Sequence, residues 1–113
     1  MTQNPNLVRG TLDLLILKSL TWGPRHGYGI GEWVQQATNG SLLMEEGTLY
    51  PALHRLQARG LVESEWGLSE NNRRAKYYRI TGPGDKHLLA ETESWRHYNE
   101  MVGRALAMEA PVR

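Results

Sequence analysis

The stretch Glu46-Gly47-Thr48-Leu49-Tyr50-Pro51-Ala52-Leu53-His54-Arg55-Leu56-Gln57-Ala58-Arg59-Gly60-Leu61-Val62-Glu63-Ser64-Glu65-Trp66 changes its period halfway. In its first half Leu49, Leu53 and Leu56 fall at i, i+4 and i+7, the spacing of one helix face, while Pro51, His54, Arg55 and Ala58 make the other face. Gly60 stops the helix, because glycine tolerates the left-handed conformation that follows a last turn. Beyond it Val62, Ser64 and Trp66 alternate with Glu63 and Glu65, which is the period of a strand. A short helix with a polar outer face therefore runs directly into a strand.

Working outward, Gly67 to Asn72 is polar and turn-rich, and Ala75 to Ile80 is again strand-like through Tyr77, Tyr78 and Ile80. The two strands and their tip make a hairpin. Upstream, Leu12, Leu15, Ile16 and Leu20, widened by Leu14 and Leu17, predict a largely buried helix over Thr11 to Leu20. After Trp22-Gly23-Pro24 a second amphipathic helix turns Ile30, Trp33, Val34 and Ala37 inward and ends near Asn39 and Gly40. Downstream, Thr81 is an N-cap followed by Gly-Pro-Gly and a helical pattern that reaches about Met108, with Pro111 beyond it.

Such a last helix reaches about 40 Å at roughly 1.5 Å per residue, more than a small core requires. Leu88, Trp95 and Val102 recur every seven residues, as do Tyr98 with Ala105 and Met101 with Met108. This is a seam for a partner helix, cut short by Glu91. Two such helices crossing on a two-fold axis would bring both copies of Trp95 together, with Tyr98 one turn away. That pair either packs the interface or clamps a flat aromatic ligand between two indoles.

The expected fold is α+β and mainly α: a winged helix-turn-helix of three helices and a hairpin wing over residues 1–80, then a long dimerisation helix with its tail over 81–113. In this layout the third helix enters the major groove and the wing reaches neighbouring phosphates. Thr48, Tyr50, His54 and Arg55 supply donors and acceptors at the start of the third helix. Residues 67–80 hold Arg73, Arg74, Lys76 and Arg79 against Glu70 alone, although the whole 113-residue chain is only +1. Cations gathered at a hairpin tip suit phosphate contact. His26 and Tyr28 either meet a phosphate at the start of the second helix or serve as a cap and a core aromatic. Tyr50 either touches DNA or packs its helix against the hairpin. Trp22, Trp33 and Trp66 read as core or rim packing.

Other classes find little support. The chain has no cysteine, which excludes disulfide frameworks, thiolate zinc sites and cysteine nucleophiles. It lacks a Gly-x-Ser-x-Gly elbow, a Walker lysine and a His-Glu-x-x-His pair, and Gly27-x-Gly29-x-Gly31 has the wrong spacing for a dinucleotide loop. Glu93 and His97 are two potential metal ligands without a third, so neither metal nor cofactor is expected. No apolar run approaches the roughly 18 residues of a bilayer span, and Met1 to Gly10 is unlike a signal peptide, so the expectation is a cytoplasmic protein without membrane contact. The competing class is a winged-helix module that binds another protein and no DNA. Such a module has no use for Arg73, Arg74 and Lys76 together.

Four segments in this order resemble the PadR family of transcriptional regulators: Gly23-Pro24-Arg25-His26-Gly27-Tyr28, Glu46-Gly47-Thr48-Leu49-Tyr50-Pro51-Ala52-Leu53, Leu56-Gln57-Ala58-Arg59-Gly60-Leu61 and Arg73-Arg74-Ala75-Lys76-Tyr77-Tyr78-Arg79-Ile80-Thr81. The likeness extends from about Leu12 to Trp95, with Glu45 adding a second acid before the Gly-Thr-Leu-Tyr-Pro segment. The resemblance implies a homodimeric bacterial repressor of the shorter architectural class, with one C-terminal dimerisation helix. It places Gly-Thr-Leu-Tyr-Pro at the start of the recognition helix and Arg-Arg-x-Lys-Tyr-Tyr in the wing. It also implies a pseudo-palindromic duplex operator, its own or a neighbouring transporter or stress gene as target, and a planar aromatic effector as a candidate ligand.

Overall fold

A computed structural model of the chain describes residues 5–112, with side chains described from residue 10 onward. Its elements in order are α1 (Pro5–Ser19), β1 (Arg25–His26), α2 (Gly27–Ala37), α3 (Glu46–Ala58), β2 (Val62–Leu68), β3 (Arg74–Ile80) and α4 (Gly82–Leu106). The expected mainly helical winged fold is present. The first helix begins ahead of the apolar stripe that announces it, at Pro5 rather than Thr11, since proline's fixed φ suits a first helical turn.

The core is built where three helical stripes meet one face of the sheet. Ile16 and Leu17 from α1 with Leu20 just past its end, Ile30 from α2, and Leu49, Ala52, Leu53 and Leu56 from α3 close over Leu61, Val62 and Tyr78. Ser19 is the buried polar residue of this region, and its hydroxyl donates to the Ile16 carbonyl at 2.6 Å. Ala37, one turn beyond buried Val34, is exposed, so the inward stripe of α2 ends sooner than its periodicity predicts.

The sheet has a third strand that the periodicity does not announce. Arg25 pairs with Tyr78 and His26 with Tyr77, giving the antiparallel order β1-β3-β2. A two-residue strand is too short to show alternation. In the hairpin Val62 lies opposite Ile80, Ser64 opposite Tyr78, and Trp66 opposite Lys76. The tip is closed by Ser69 N–H to Arg73 O at 2.8 Å and Asn72 N–H to Ser69 O at 2.8 Å, with Asn72 left-handed at φ 59°.

Thr81 caps α4 by accepting from the Gly84 N–H at 3.0 Å, while its own hydroxyl donates to the Gly60 carbonyl at 2.7 Å. The first turn of α4 therefore sits on the junction between α3 and β2. Gly84 makes this approach feasible, because a β-carbon there would run into the Leu61 carbonyl and the Ile80 side chain. The helix then packs on α1, Thr92 being its last partly buried residue, and from Glu93 to Val112 every residue is exposed. Its 25 residues span about 37 Å at roughly 1.5 Å each, and the chain's longest extent is 62 Å.

Candidate nucleic-acid interface

The burial of Leu49, Ala52, Leu53 and Leu56 fixes the rotation of α3 and leaves Glu45 to Thr48, Tyr50, Pro51 and His54 on the outside. Glu45 is the N-cap, extended at φ −76° and ψ 157°, and its side chain makes no capping bond. Pro51 inside the helix has no N–H for the Gly47 carbonyl. The first turn consequently keeps free polar backbone groups among exposed residues.

Arg55 is not the freely exposed group that its position on the outer face suggests. Its Nη2 lies 3.4 Å from Asp13 Oδ1 on α1, with about a third of the side chain accessible. Tyr50 is 43% exposed and rests on Gly27 of α2. Behind it, burial and then the neighbouring Tyr50 phenol push the Tyr78 hydroxyl above its usual pKa.

Of the two readings of His26, the cap is realised. Its Nδ1 accepts from the Gly29 N–H at 3.0 Å, and its ring lies 5.3 Å from that of Tyr77. Only Nε2 is left for an outside contact. Tyr28 is 74% exposed, so it is not a core aromatic.

The wing sorts its charges by face. Successive side chains alternate sides, so Glu63, Glu65, Tyr77 and Arg79 share one face. There Arg79 closes on Glu63, Nη2 to Oε1 at 2.6 Å and Nε to Oε1 at 2.7 Å. The other face runs outward from buried Val62 and Tyr78 to Trp66, Arg74 and Lys76. Trp66 departs from its assignment to core or rim: it is 58% exposed, standing on the wing across an open cleft from the helical layer. Trp22 is likewise exposed, its ring tilted by 38° against half-buried Trp33 at 5.8 Å and covered by the Lys18 ammonium at 5.1 Å. Among the described residues, Arg73, Arg74 and Lys76 form no ion pair.

These groups meet. A cleft of about 580 Å³ between the wing and the helical layer is lined by Tyr28, Tyr50, Trp66, Arg73, Arg74 and Lys76. Thr48 and His54 lie outside that lining, on the exposed part of α3. Spacing alone gives no hint of Trp66, although its place opposite Lys76 in an ideal hairpin is a usable signal.

The seam on α4 divides. Leu88, expected to face a partner, packs on the chain's own core, because α4 still lies along α1 at that turn. Trp95, Tyr98, Met101, Val102 and Ala105 are exposed, Trp95 at 49%. Between α1 and α4 a groove of about 670 Å³ is lined by Leu14, Leu15, Leu88, Leu89 and Trp95, with Lys18 and Arg96 also on its wall. Among the described residues no group of three or more His, Asp or Glu could hold a metal, and no helix is long and apolar enough to cross a membrane.

Comparison with known proteins agrees with this fold. The profile of the Transcriptional regulator PadR-like family matches residues 16–90. A transcriptional regulator from Clostridium thermocellum is 31% identical, with a TM-score of 0.80 over 91% of this chain and 97% of that one. A PadR family regulator from Eggerthella lenta is 33% identical, with a TM-score of 0.76 over 92% of this chain and 88% of that one. A third, from Clostridium difficile, is 30% identical at a TM-score of 0.73, covering 85% and 98%. An uncharacterized protein from Lysinibacillus sphaericus shares 32% identity over 97 residues, 86% of this chain and 89% of its own.

Proposed function

The chain belongs to the PadR-like family of transcriptional regulators, whose members act on transcription by binding DNA, and from that premise we propose that it is a homodimeric repressor. In this reading residues 1–80 bind DNA and residues 81–113 dimerise. Thr48, Tyr50 and His54 face base edges or phosphates, with Arg55 held back by Asp13. Arg73, Arg74 and Lys76 meet phosphates, and Tyr28 and His26 Nε2 border the same strand. The observation that carries this reading is the single cleft in which the wing's unpaired cations and the outer edge of α3 converge.

Trp95, Tyr98, Met101, Val102 and Ala105 form the dimer seam, joined by Leu88 only through the groove it lines. Their exposure on a helix that projects past its own core supports this. A two-fold axis there sets the two recognition helices about 34 Å apart, one turn of DNA, on a pseudo-palindromic site. Occupancy near the chain's own promoter or that of a neighbouring transporter or stress gene excludes polymerase, in the cytoplasm. A planar aromatic effector stacked on Trp95 and Tyr98 relieves repression if it binds better to a dimer whose winged domains stand at the wrong separation.

The test is replacement of Arg73, Arg74 and Lys76 together by alanine. DNA binding should be lost and the dimer mass kept. A triple variant that binds DNA with the salt dependence of the parent refutes the wing assignment.

A further inference from the structure

We propose that Trp66 is the positioning residue of the wing, an aromatic plate that holds Arg74 and Lys76 ready for the phosphate strand. The Arg74 guanidinium carbon lies 4.5 Å from the Trp66 ring centroid and the Lys76 ammonium 5.9 Å from it. Register produces this directly. Trp66 is opposite Lys76 and diagonal to Arg74, which is opposite Leu68, and both relations lie within reach of long side chains on one face.

The plate is not there for the core. Trp66 is 58% exposed, and the strand residues that close the core, Val62 and Tyr78, lie further down the same face. An exposed indole contributes little burial where it stands. What it does supply is a negative π-face to two cations that have no carboxylate partner among the described residues.

The chemistry favours DNA binding in a specific way. A carboxylate would occupy the N–H donors of Arg74, as Glu63 occupies those of Arg79 on the opposite face. A ring face engages the guanidinium through its flat side and leaves the in-plane donors free for phosphate oxygens. It also limits the rotamers of two long side chains before DNA arrives, so less freedom is lost on binding. The alternation that puts Trp66 on the cleft side, with Glu63 and Glu65 on the other, aims both cations at α3.

This role rests on the DNA reading of the wing, and the experiment separates the two. Anisotropy titrations on one labelled duplex from upstream of the chain's own gene compare the parent, W66A, W66L and W66F, each also in an R74A/K76A background. A cation held over an exposed ring corresponds to about a two- to fivefold effect, so W66A should weaken binding by about five- to twentyfold when both cations lose their seat. W66L should behave like W66A, and W66F should recover most of the parent's affinity, a distinction that a purely apolar support would not make. In the R74A/K76A background all four should bind alike. In proton NMR of the free protein the Arg74 side-chain resonances should carry a ring-current shift that W66L abolishes. An R74A/K76A protein that binds like the parent overturns the wing reading and this role with it. A weakened R74A/K76A protein together with a W66L protein equal to the parent, or a W66A loss that is the same in both backgrounds, overturns the role of Trp66 alone.

Discussion

The phenol of Tyr50 on α3 rests on the backbone of Gly27, the first residue of α2, so closely that a β-carbon at position 27 would collide with its Oη, Cζ and Cε1. Helix α3 is thus registered against α2 through an aromatic ring resting on the α-hydrogen side of a glycine. Gly27→Ala should leave the melting temperature nearly unchanged, because the ring tip can swing outward into the open cleft. DNA affinity should fall about five- to tenfold, the loss of one positioned contact. Adding Tyr50→Ala to Gly27→Ala should cost nothing further. A full additional loss in anisotropy would show that the two residues act separately.

Gly84 is the opposite case. There a β-carbon would meet a backbone carbonyl, that of Leu61, and the Ile80 side chain, neither of which is the free end of a flexible group. Gly84→Ala should destabilise the fold by about 1–3 kcal/mol, the usual cost of overpacking, read from urea unfolding. A variant as stable as the parent would mean that α4 docks less tightly than its first turn implies.

Burial of Tyr78 predicts that the fold weakens in alkali. Its hydroxyl pKa is raised above the ordinary 10.0 by burial first and by Tyr50 second. The folded state therefore holds the Tyr78 proton where the unfolded chain would release it. The stabilisation is fully present below pH 10 and is lost as pH rises from there through the folded pKa. Tyr78→Phe should flatten this part of the pH profile in denaturant titrations above and below that value. An unchanged slope would assign the alkaline loss to other groups.

Much of this architecture is legible in the sequence, for identifiable reasons. The leucines of α3 and the Gly60 stop are visible because their spacing is set by the helix itself. Thr81 is visible because capping is a local bargain between a hydroxyl and an N–H three residues on. Strand β1 is not, since two residues carry no period and its partner lies about fifty residues away. The Arg55 to Asp13 pair is equally non-local, and it removes from the free surface a cation that the α3 periodicity places on the outer face. Trp66 and Leu88 fail in mirror image. An indole on an alternating strand reads as core although the strand outruns the helices, and a leucine on a heptad reads as interface although α1 lies beneath it.

The exposed half of α4 makes a separate demand. Replacing Met101 and Val102 together by glutamate should leave the helical content of the chain intact and give a monomer in sedimentation equilibrium. Four unpaired carboxylates would otherwise be buried in a two-fold seam, at a cost of several kcal/mol. The same variant should lose operator affinity, because each half-site would then bind alone. A dimer that persists would move the interface elsewhere on the chain.

The most direct measurement is fluorescence anisotropy of the protein on a labelled duplex from upstream of its own gene, against a scrambled duplex of equal length, at two salt concentrations. Binding to the upstream duplex at least about a thousandfold tighter than to the scrambled one is the predicted result, with both affinities falling as salt rises. Weak and equal binding to the two duplexes would contradict the proposal of a repressor acting at its own promoter.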